Sequence, residues 1–185
     1  MPEKNRCDWC MSSEIYKNYH DNEWGKAKYD DSSLFELLIL ETFQAGLSWI
    51  TILNKRENFK KAFDNFDYNK IAKYDDDKIL DLLQDAGIIR NKLKVYSTVV
   101  NAQNFINIQK DYGSFSKYIW SFVDDNPIIN YPKKLSDVAA TTHLSDIISK
   151  DLKKRGFKFV GSTVMYAFLQ ATGIVNDHLV DCDFK

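Results

Sequence analysis

The stretch Leu34–Trp49, LFELLILETFQAGLSW, constrains this chain more than any other. At helical spacing it is apolar almost all the way round, and a helix of that kind is buried on every side. Ser33 followed three residues later by Glu36 reads as a capping box that starts it. Gly46 reads as its stop. One residue does not suit an apolar centre. Glu41 shares a face with Leu34, Leu37 and Leu38, so it is expected to point inward. A carboxylate there is costly unless something hydrogen-bonds it. Either the protein supplies a backbone N–H or a Lys, which is the usual case for buried acids, or a ligand supplies the partner.

The rest of the chain offers material to surround that helix. Of its 185 residues, 44% are hydrophobic and 14% aromatic, enough for one domain with a real core. The formal net charge is −1, which excludes a protein that coats nucleic acid by bulk charge. An anionic partner must be met by local patches. Three Pro and seven Gly leave little room for disordered linkers. No apolar run reaches membrane-spanning length, and MPEKNRCDWC has no signal-peptide core. A cytoplasmic chain is expected, in which three cysteines point to a metal site or core thiols before disulfides.

Nearly every segment reads as helix. Ser12 or Ser13 caps a short one through Tyr16, Tyr19 and His20. Ser48 caps one from Trp49 to Phe63. Asp75 or Asp76 starts one through Ile79, Leu82 and Leu83. After a turn at Ala86–Gly87, a long helix runs from about Asn91 to Lys110. Ser114 opens one through Tyr118, Trp120 and Phe122. Asn126–Pro127 and Tyr131–Pro132 mark loops. Thr142 caps a helix to Lys154 that Gly156 ends, and the last spans Ser162 to Ala171 before Gly173. No convincing period-two strand and no internal repeat is present. The predicted class is all-α, a compact bundle with short connections.

Three constellations carry chemistry. The first joins the chain ends: Cys7, Cys10 and His20 near the start, His178 and Cys182 near the finish. If the segment after Asn176 is helical, His178 and Cys182 share a face. Two thiolates and two imidazoles make a closed tetrahedral zinc site. Five candidates compete for four places, and the ordinary alternative is core thiols with surface imidazoles. A clip between the termini would close almost the whole chain as a loop and so restrict the unfolded state strongly. His143 stands alone and reads as an exposed helix start.

The second constellation is aromatic: Trp9, Tyr16, Tyr19, Trp24 and Trp49 lie near the central helix in sequence. Rings beside an inward acid can hold a flat heterocycle by its faces and its edge, although any single ring is more often core. The third is a helix–turn–helix segment, ILDLLQDAGIIRNKLKV, in which Ala86–Gly87–Ile88–Ile89 form a tight hairpin and Arg90, Lys92 and Lys94 a basic helix start. Helix N-termini bind phosphate, and cations reinforce this, but many helical hairpins turn on Gly. A further basic cluster, Lys150, Lys153, Lys154, Arg155 and Lys158, is either a phosphate-facing patch or a solvated helix end.

Together these residues resemble the DNA-3-methyladenine glycosylase I family. The matching segments are RCDW at Arg6–Trp9, YHDNEWG at Tyr19–Gly25, the run Leu34–Phe59, DAGIIR at Asp85–Arg90, WSFV at Trp120–Val123, LKKRGFKFVG at Leu152–Gly161 and FLQATGIVNDHLVDC at Phe168–Cys182. They cover essentially the full length in order. The resemblance implies a helix–hairpin–helix superfamily fold, one domain over 1–185 with the hairpin motif at about 76–110. It implies a monofunctional enzyme that cleaves the N-glycosidic bond of 3-methyladenine in alkylated double-stranded DNA and leaves an abasic site.

Carried over residue by residue, the resemblance places a structural zinc on Cys7, His20, His178 and Cys182, against Cys10. It places the base-pocket acid on Glu41, with Tyr16, Tyr19 and Trp49 around the base. Leu47, in AGLSW, falls on the part that enters the DNA stack. Many superfamily members carry a catalytic Asp after a Gly/Pro-rich loop. No such element is recognised here, and none is assigned. A monomer is expected. Two other functions compete: a zinc-stapled DNA-binding module without catalysis, which needs no Glu41, and a zinc hydrolase, which needs an open metal position.

Overall fold

The computed structural model describes residues 4–185. Its centre is α2, Asp31–Gln44, in which every residue from Leu34 to Phe43 except Glu36 is buried. Full burial of each Leu or Phe side chain stabilises by about 1.5–3 kcal/mol, so this one helix anchors much of the core. The helix starts three residues before the expected capping box. Asp30 is the cap, its carboxylate accepting the Ser33 N–H at 2.7 Å. An Asp caps as well as a Ser, and its earlier position wins. Glu36 instead reaches α3 and accepts from Arg56 Nε at 2.7 Å. Arg56 also donates to Glu23 at 2.8 and 2.9 Å, tying the end of α1 (Glu14–Asn22) to α2 and α3 (Trp49–Ala62).

Around α2 pack α3, α6 (Lys92–Tyr112), α7 (Phe115–Trp120) and α9 (Ser162–Ala171). The short α4 (Tyr68–Ile71) and α5 (Asp76–Gln84) lie against α6, and α8 (His143–Lys154) lies against α9. The expected caps hold at Ser13, Asp75, Ser114 and Thr142, each accepting a first-turn N–H. Ser48 stands at the N-cap of α3 but directs its hydroxyl to Thr51 Oγ1, 2.7 Å away. Gly113, at φ +87°, closes α6 in the left-handed conformation that Gly adopts without a Cβ penalty. The helix from Ser114 is shorter than its pattern: α7 ends at Trp120, and Phe122 lies in a 3₁₀ turn. His143 is the exposed first residue of α8, as expected.

Two local expectations change. A two-stranded parallel ladder pairs β1 (Ile128–Ile129) with β2 (Val175–Asn176) where no strand was expected. Two residues per strand cannot show alternation in a sequence. After β2 the chain does not form a helix: it continues as turns to Lys185. His178 and Cys182 therefore converge through loop geometry rather than through a helical face. The N-terminal segment after α1 is laid against the end of α9 by backbone bonds from Gly25 to Gln170 and from Lys28 to Thr172, both 3.0 Å. Gly173, at φ +68°, allows this, because a Cβ there would lie 2.2 Å from the Lys26 carbonyl carbon.

Candidate active site and metal cluster

A cavity of ≈ 290 Å³ opens between α1, α2, α3, α9 and the segment 135–140. Tyr16, Tyr19, Glu41 and Trp49, expected to meet, all line it, together with Trp9 and Trp24. Helix α1 presents Tyr16 and Tyr19 one turn apart on one face. Glu41 arrives from the buried centre of α2, and Trp49 from the first residue of α3. Trp9 meets Tyr16 and Trp24 edge-on with ring centroids 4.9 Å apart, while Tyr19 tilts against Trp49 at 5.4 Å.

Glu41 is 3% exposed, and its Oε2 has no hydrogen-bond partner among the described residues. The same holds for Trp49 Nε1. The paired-acid alternative, a backbone N–H or Lys on Glu41, is thus not realised for that oxygen. Burial alone pushes the Glu41 carboxyl up to about 8, since nothing nearby compensates its charge. Burial, and then the neighbouring Glu41, also raise the Tyr19 hydroxyl, which stays protonated.

The opposite wall was not legible in the sequence. Tyr166 and Gln170 of α9 donate to one oxygen of Asp177 at 2.6 and 2.7 Å, and Asn130 donates to the other at 2.7 Å. Tyr166, Gln170 and Asp177 line the cavity, as do Gln44 and the segment Val138–Ala140. The i, i+4 spacing of Tyr166 and Gln170 in a helix apolar otherwise beyond its first two residues was a usable signal; the 135–140 segment offered none.

Beside this cavity, Cys7, His20, His178 and Cys182 form a buried cluster that could hold a metal ion. Their ligand atoms all lie within 4.8 Å of one another. Cys182 Sγ is 3.5 Å from His20 Nε2 and 3.3 Å from His178 Nδ1, and Cys7 Sγ is 3.8 Å from His178 Nδ1. Tetrahedral bonds of zinc to sulfur and nitrogen imply S···N edges of about 3.6 Å, so the donor set fits. The remaining imidazole nitrogens are also held: His20 Nδ1 lies 2.8 Å from Asp21 Oδ1, and His178 Nε2 3.1 Å from the Trp24 carbonyl. Such outer partners fix ring orientation in metal sites. Cys10 stands outside, its thiol donating to the Cys7 carbonyl at 3.1 Å. Gly25 is needed here, because a Cβ would come 2.9 Å from the His178 ring. Cys7 and Leu179 line the cavity too, so cluster and cavity share a wall.

The residues expected to meet DNA lie elsewhere. Leu47 is 40% exposed in the turn between α2 and α3, after Gly46 at φ +82°. Arg90 and Lys92 are exposed at the hairpin between α5 and α6, whereas Lys94, expected with them in the basic helix start, is buried with its ammonium on backbone carbonyls at the end of α2. Gly87 offers no free N–H, since Asp85 Oδ1 already accepts it at 2.7 Å. A second helical hairpin, 155–161, joins α8 to α9. Lys153, Lys154 and Lys158 are exposed around it, and α9 starts at Gly161 without a side-chain cap.

The fold and cavity define a helical domain with a ring-walled pocket, into which a buried carboxyl brings an oxygen without a partner among the described residues. The family model described as Methyladenine glycosylase matches residues 9–185. The chain is 46% identical over 177 residues to DNA-3-methyladenine glycosylase 1 of Escherichia coli (strain K12), covering 96% of this chain and 95% of that protein. It is 47% identical over 180 residues to DNA-3-methyladenine glycosylase of Haemophilus influenzae, covering 97% of each. A solved structure described as the basis of 3-methyladenine recognition by 3-methyladenine DNA glycosylase I from Staphylococcus aureus superposes with TM-score 0.95 at 39% identity, covering 98% of this chain and 97% of that one. The chain belongs to the methyladenine glycosylase family.

Proposed function

We propose that this chain is a monofunctional DNA glycosylase that hydrolyses the N-glycosidic bond of 3-methyladenine in alkylated DNA, releasing the free base and leaving an abasic site. The observation that carries the reading is Glu41, a buried carboxyl with an oxygen left unpartnered among the described residues, in a ring-walled cavity. A protein keeps such a group at a cost to stability, and a cationic, hydrogen-bonding guest removes that cost.

A base stacked inside a duplex is beyond the reach of any cavity, so the damaged nucleotide must leave the stack before chemistry can begin. Methylation at N3 leaves the adenine ring positively charged. Tyr16, Tyr19 and Trp49 place π-faces about that cation, and Glu41 accepts from the exocyclic amine. The base's positive charge lowers the Glu41 pKa, so the carboxyl gives its proton to solvent as the base enters, and the two charges then offset each other in a dry site. Heterolysis sends the glycosidic electron pair to the base and cancels its charge. Water adds to the sugar carbon and loses a proton, giving neutral 3-methyladenine and an abasic deoxyribose. The leaving group departs without needing a strong acid.

Cys7, His20, His178 and Cys182 are the proposed ligands of one structural zinc. Four protein ligands leave no open position, so a bound zinc supplies a clamp on the pocket wall and not a nucleophile. That closed set weighs against a zinc hydrolase, and the unpaired Glu41 against a binding module without catalysis. Leu47 is the proposed wedge in the stack. The hairpin with Gly87, Arg90 and Lys92, read as a helix–hairpin–helix at about 76–110 within a single unit, is proposed to meet phosphates through its cations. The second hairpin at 155–161 offers further cations and an uncapped helix start for the same backbone.

The test is incubation with alkylated duplex DNA. Release of free 3-methyladenine, abolished in Glu41→Ala, is the expected result. Binding without release supports the module, and hydrolysis that depends on exchangeable metal supports the hydrolase.

A further inference from the structure

Lys94 is placed against its own helix. It sits in the first turn of α6, where the helix dipole disfavours a cation, and it is only 5% exposed. Its ammonium crosses to the far end of α2, donating to the Phe43 carbonyl at 2.8 Å and the Ala45 carbonyl at 2.6 Å. These are among the last carbonyls of α2, which the helix itself leaves without partners, and the negative end of that helix is where a cation is welcome. The Gln44 carbonyl between them accepts the Leu47 N–H at 2.6 Å. One buried cation therefore fixes the turn Ala45–Gly46–Leu47. Among the described residues nothing lies within 4 Å of a Cβ built on Gly46, so their packing does not fix this turn at its tip.

The same lysine lies two residues from Lys92 and four from Arg90, the exposed cations of the hairpin. A second tie runs the other way: Lys55 of α3 donates to the carbonyls of Ala86 and Gly87 in that hairpin at 3.1 and 3.3 Å. Lys94 thus ties the start of α6, directly after the hairpin, to the α2–α3 turn, while Lys55 ties the hairpin to the body of α3; of the two lysines only Lys94 is buried.

We propose that Lys94 is a positioning residue that couples the DNA-gripping hairpin to the Leu47 turn, so that backbone binding is converted into extrusion of the damaged nucleotide. The proposal rests on the glycosylase reading above and on Leu47 as the wedge. Lys94 touches neither base nor sugar. Its effect is to keep Leu47 at a fixed height relative to the phosphates that the hairpin holds. Without the bridge, the turn relaxes when it is pressed against stacked bases, and extrusion slows while the base pocket is unchanged.

The experiment compares Lys94→Met with wild type on one alkylated oligonucleotide, presented as a duplex and as a single strand, both at saturating protein. Extrusion is required only in the duplex. The expected result is a fall in base release of about tenfold or more on the duplex and less than about threefold on the single strand, with affinity for free 3-methyladenine unchanged. An equal fall on both substrates, or none on the duplex, overturns the proposal, because a merely structural lysine moves both rates alike. If Lys94→Met does not fold, Lys94→Arg keeps the charge but displaces the donors. It is expected to show the same duplex-selective loss at smaller size, and an equal loss on both substrates overturns the proposal there too. Wild-type protein that releases no base from either substrate sinks the glycosylase reading itself, and the inference with it.

Discussion

His20 Nδ1 lies 2.8 Å from Asp21 Oδ1 while the other nitrogen of the same ring faces Cys182 Sγ at 3.5 Å. Asp21 is in turn gripped by Arg6, which donates to it at 2.8–3.0 Å. The ring is thus held from both sides. Purified without chelator, the protein is expected to contain one zinc by elemental analysis. Cys182→Ala is expected to lose the metal and melt earlier, with base release falling only as folding fails. Asp21→Asn keeps all four ligands, so it is expected to weaken zinc affinity by roughly 10–100-fold without abolishing it. Metal-free wild-type protein of full stability would contradict the assignment.

Glu41 is the second test. A structural acid leaves a partner unpaired when it is removed, but Glu41 Oε2 has no partner to strand among the described residues. Glu41→Ala is therefore expected to leave the melting temperature unchanged or raised while base release is lost. Glu41→Gln keeps size and an acceptor oxygen but no charge. It is expected to be poor as well, because it no longer offsets the charge of the cationic base. A hydrogen bond to a charged group is worth about 1.5–3 kcal/mol, which sets the expected loss in affinity for the free base in the Ala variant. Thermal stability and base release must be read on the same preparation. Full release from a destabilised Glu41→Ala protein ends the catalytic-site reading.

The same residue predicts a pH dependence of stability. Its folded carboxyl stands at about 8, raised by burial, against 4.5 for an exposed one. Between these values the folded state holds a proton that the unfolded state has lost, so the stability slope is negative. The contribution is fully present below the unfolded value and disappears as pH rises through about 8. Wild-type protein without ligand is thus expected to be less stable at about pH 9 than at about pH 6, and Glu41→Gln is expected to lose much of that difference. Parallel curves for the two proteins would show that Glu41 does not titrate as its burial implies.

DNA grip should be sequence-blind. Lys92 is exposed beside Tyr96, its ammonium 5.9 Å from the ring centroid, and is accessible to a phosphate. Lys92→Ala is expected to weaken binding to all duplexes alike and to reduce the salt slope by about one unit. Lys158→Ala, at the second hairpin, asks the same question of 155–161. A loss confined to one sequence context, with the salt slope unchanged, would contradict a phosphate role.

The sequence by itself determined the helical class, the buried centre at Leu34–Phe43 and the inward direction of Glu41. These follow from spacing along one helix, a local property. It also supplied the four cluster residues once the resemblance had removed Cys10; chemistry alone left five. Tertiary structure decided what spacing cannot carry. His178 and Cys182 meet the N-terminal pair through turns and not a helix, because the path is set by β2, Gly173 and contacts with residues far away in sequence. The cap of α2 is Asp30 and not the expected Ser33, because both residues are good caps and only the folded backbone chooses between them. That Glu41 keeps an unpartnered oxygen, that Tyr166, Gln170 and Asp177 form the facing wall, and that Lys94 crosses from α6 to the end of α2 are facts of long-range packing. A residue's partner depends on which elements are brought beside it, and one sequence without its fold does not hold that information.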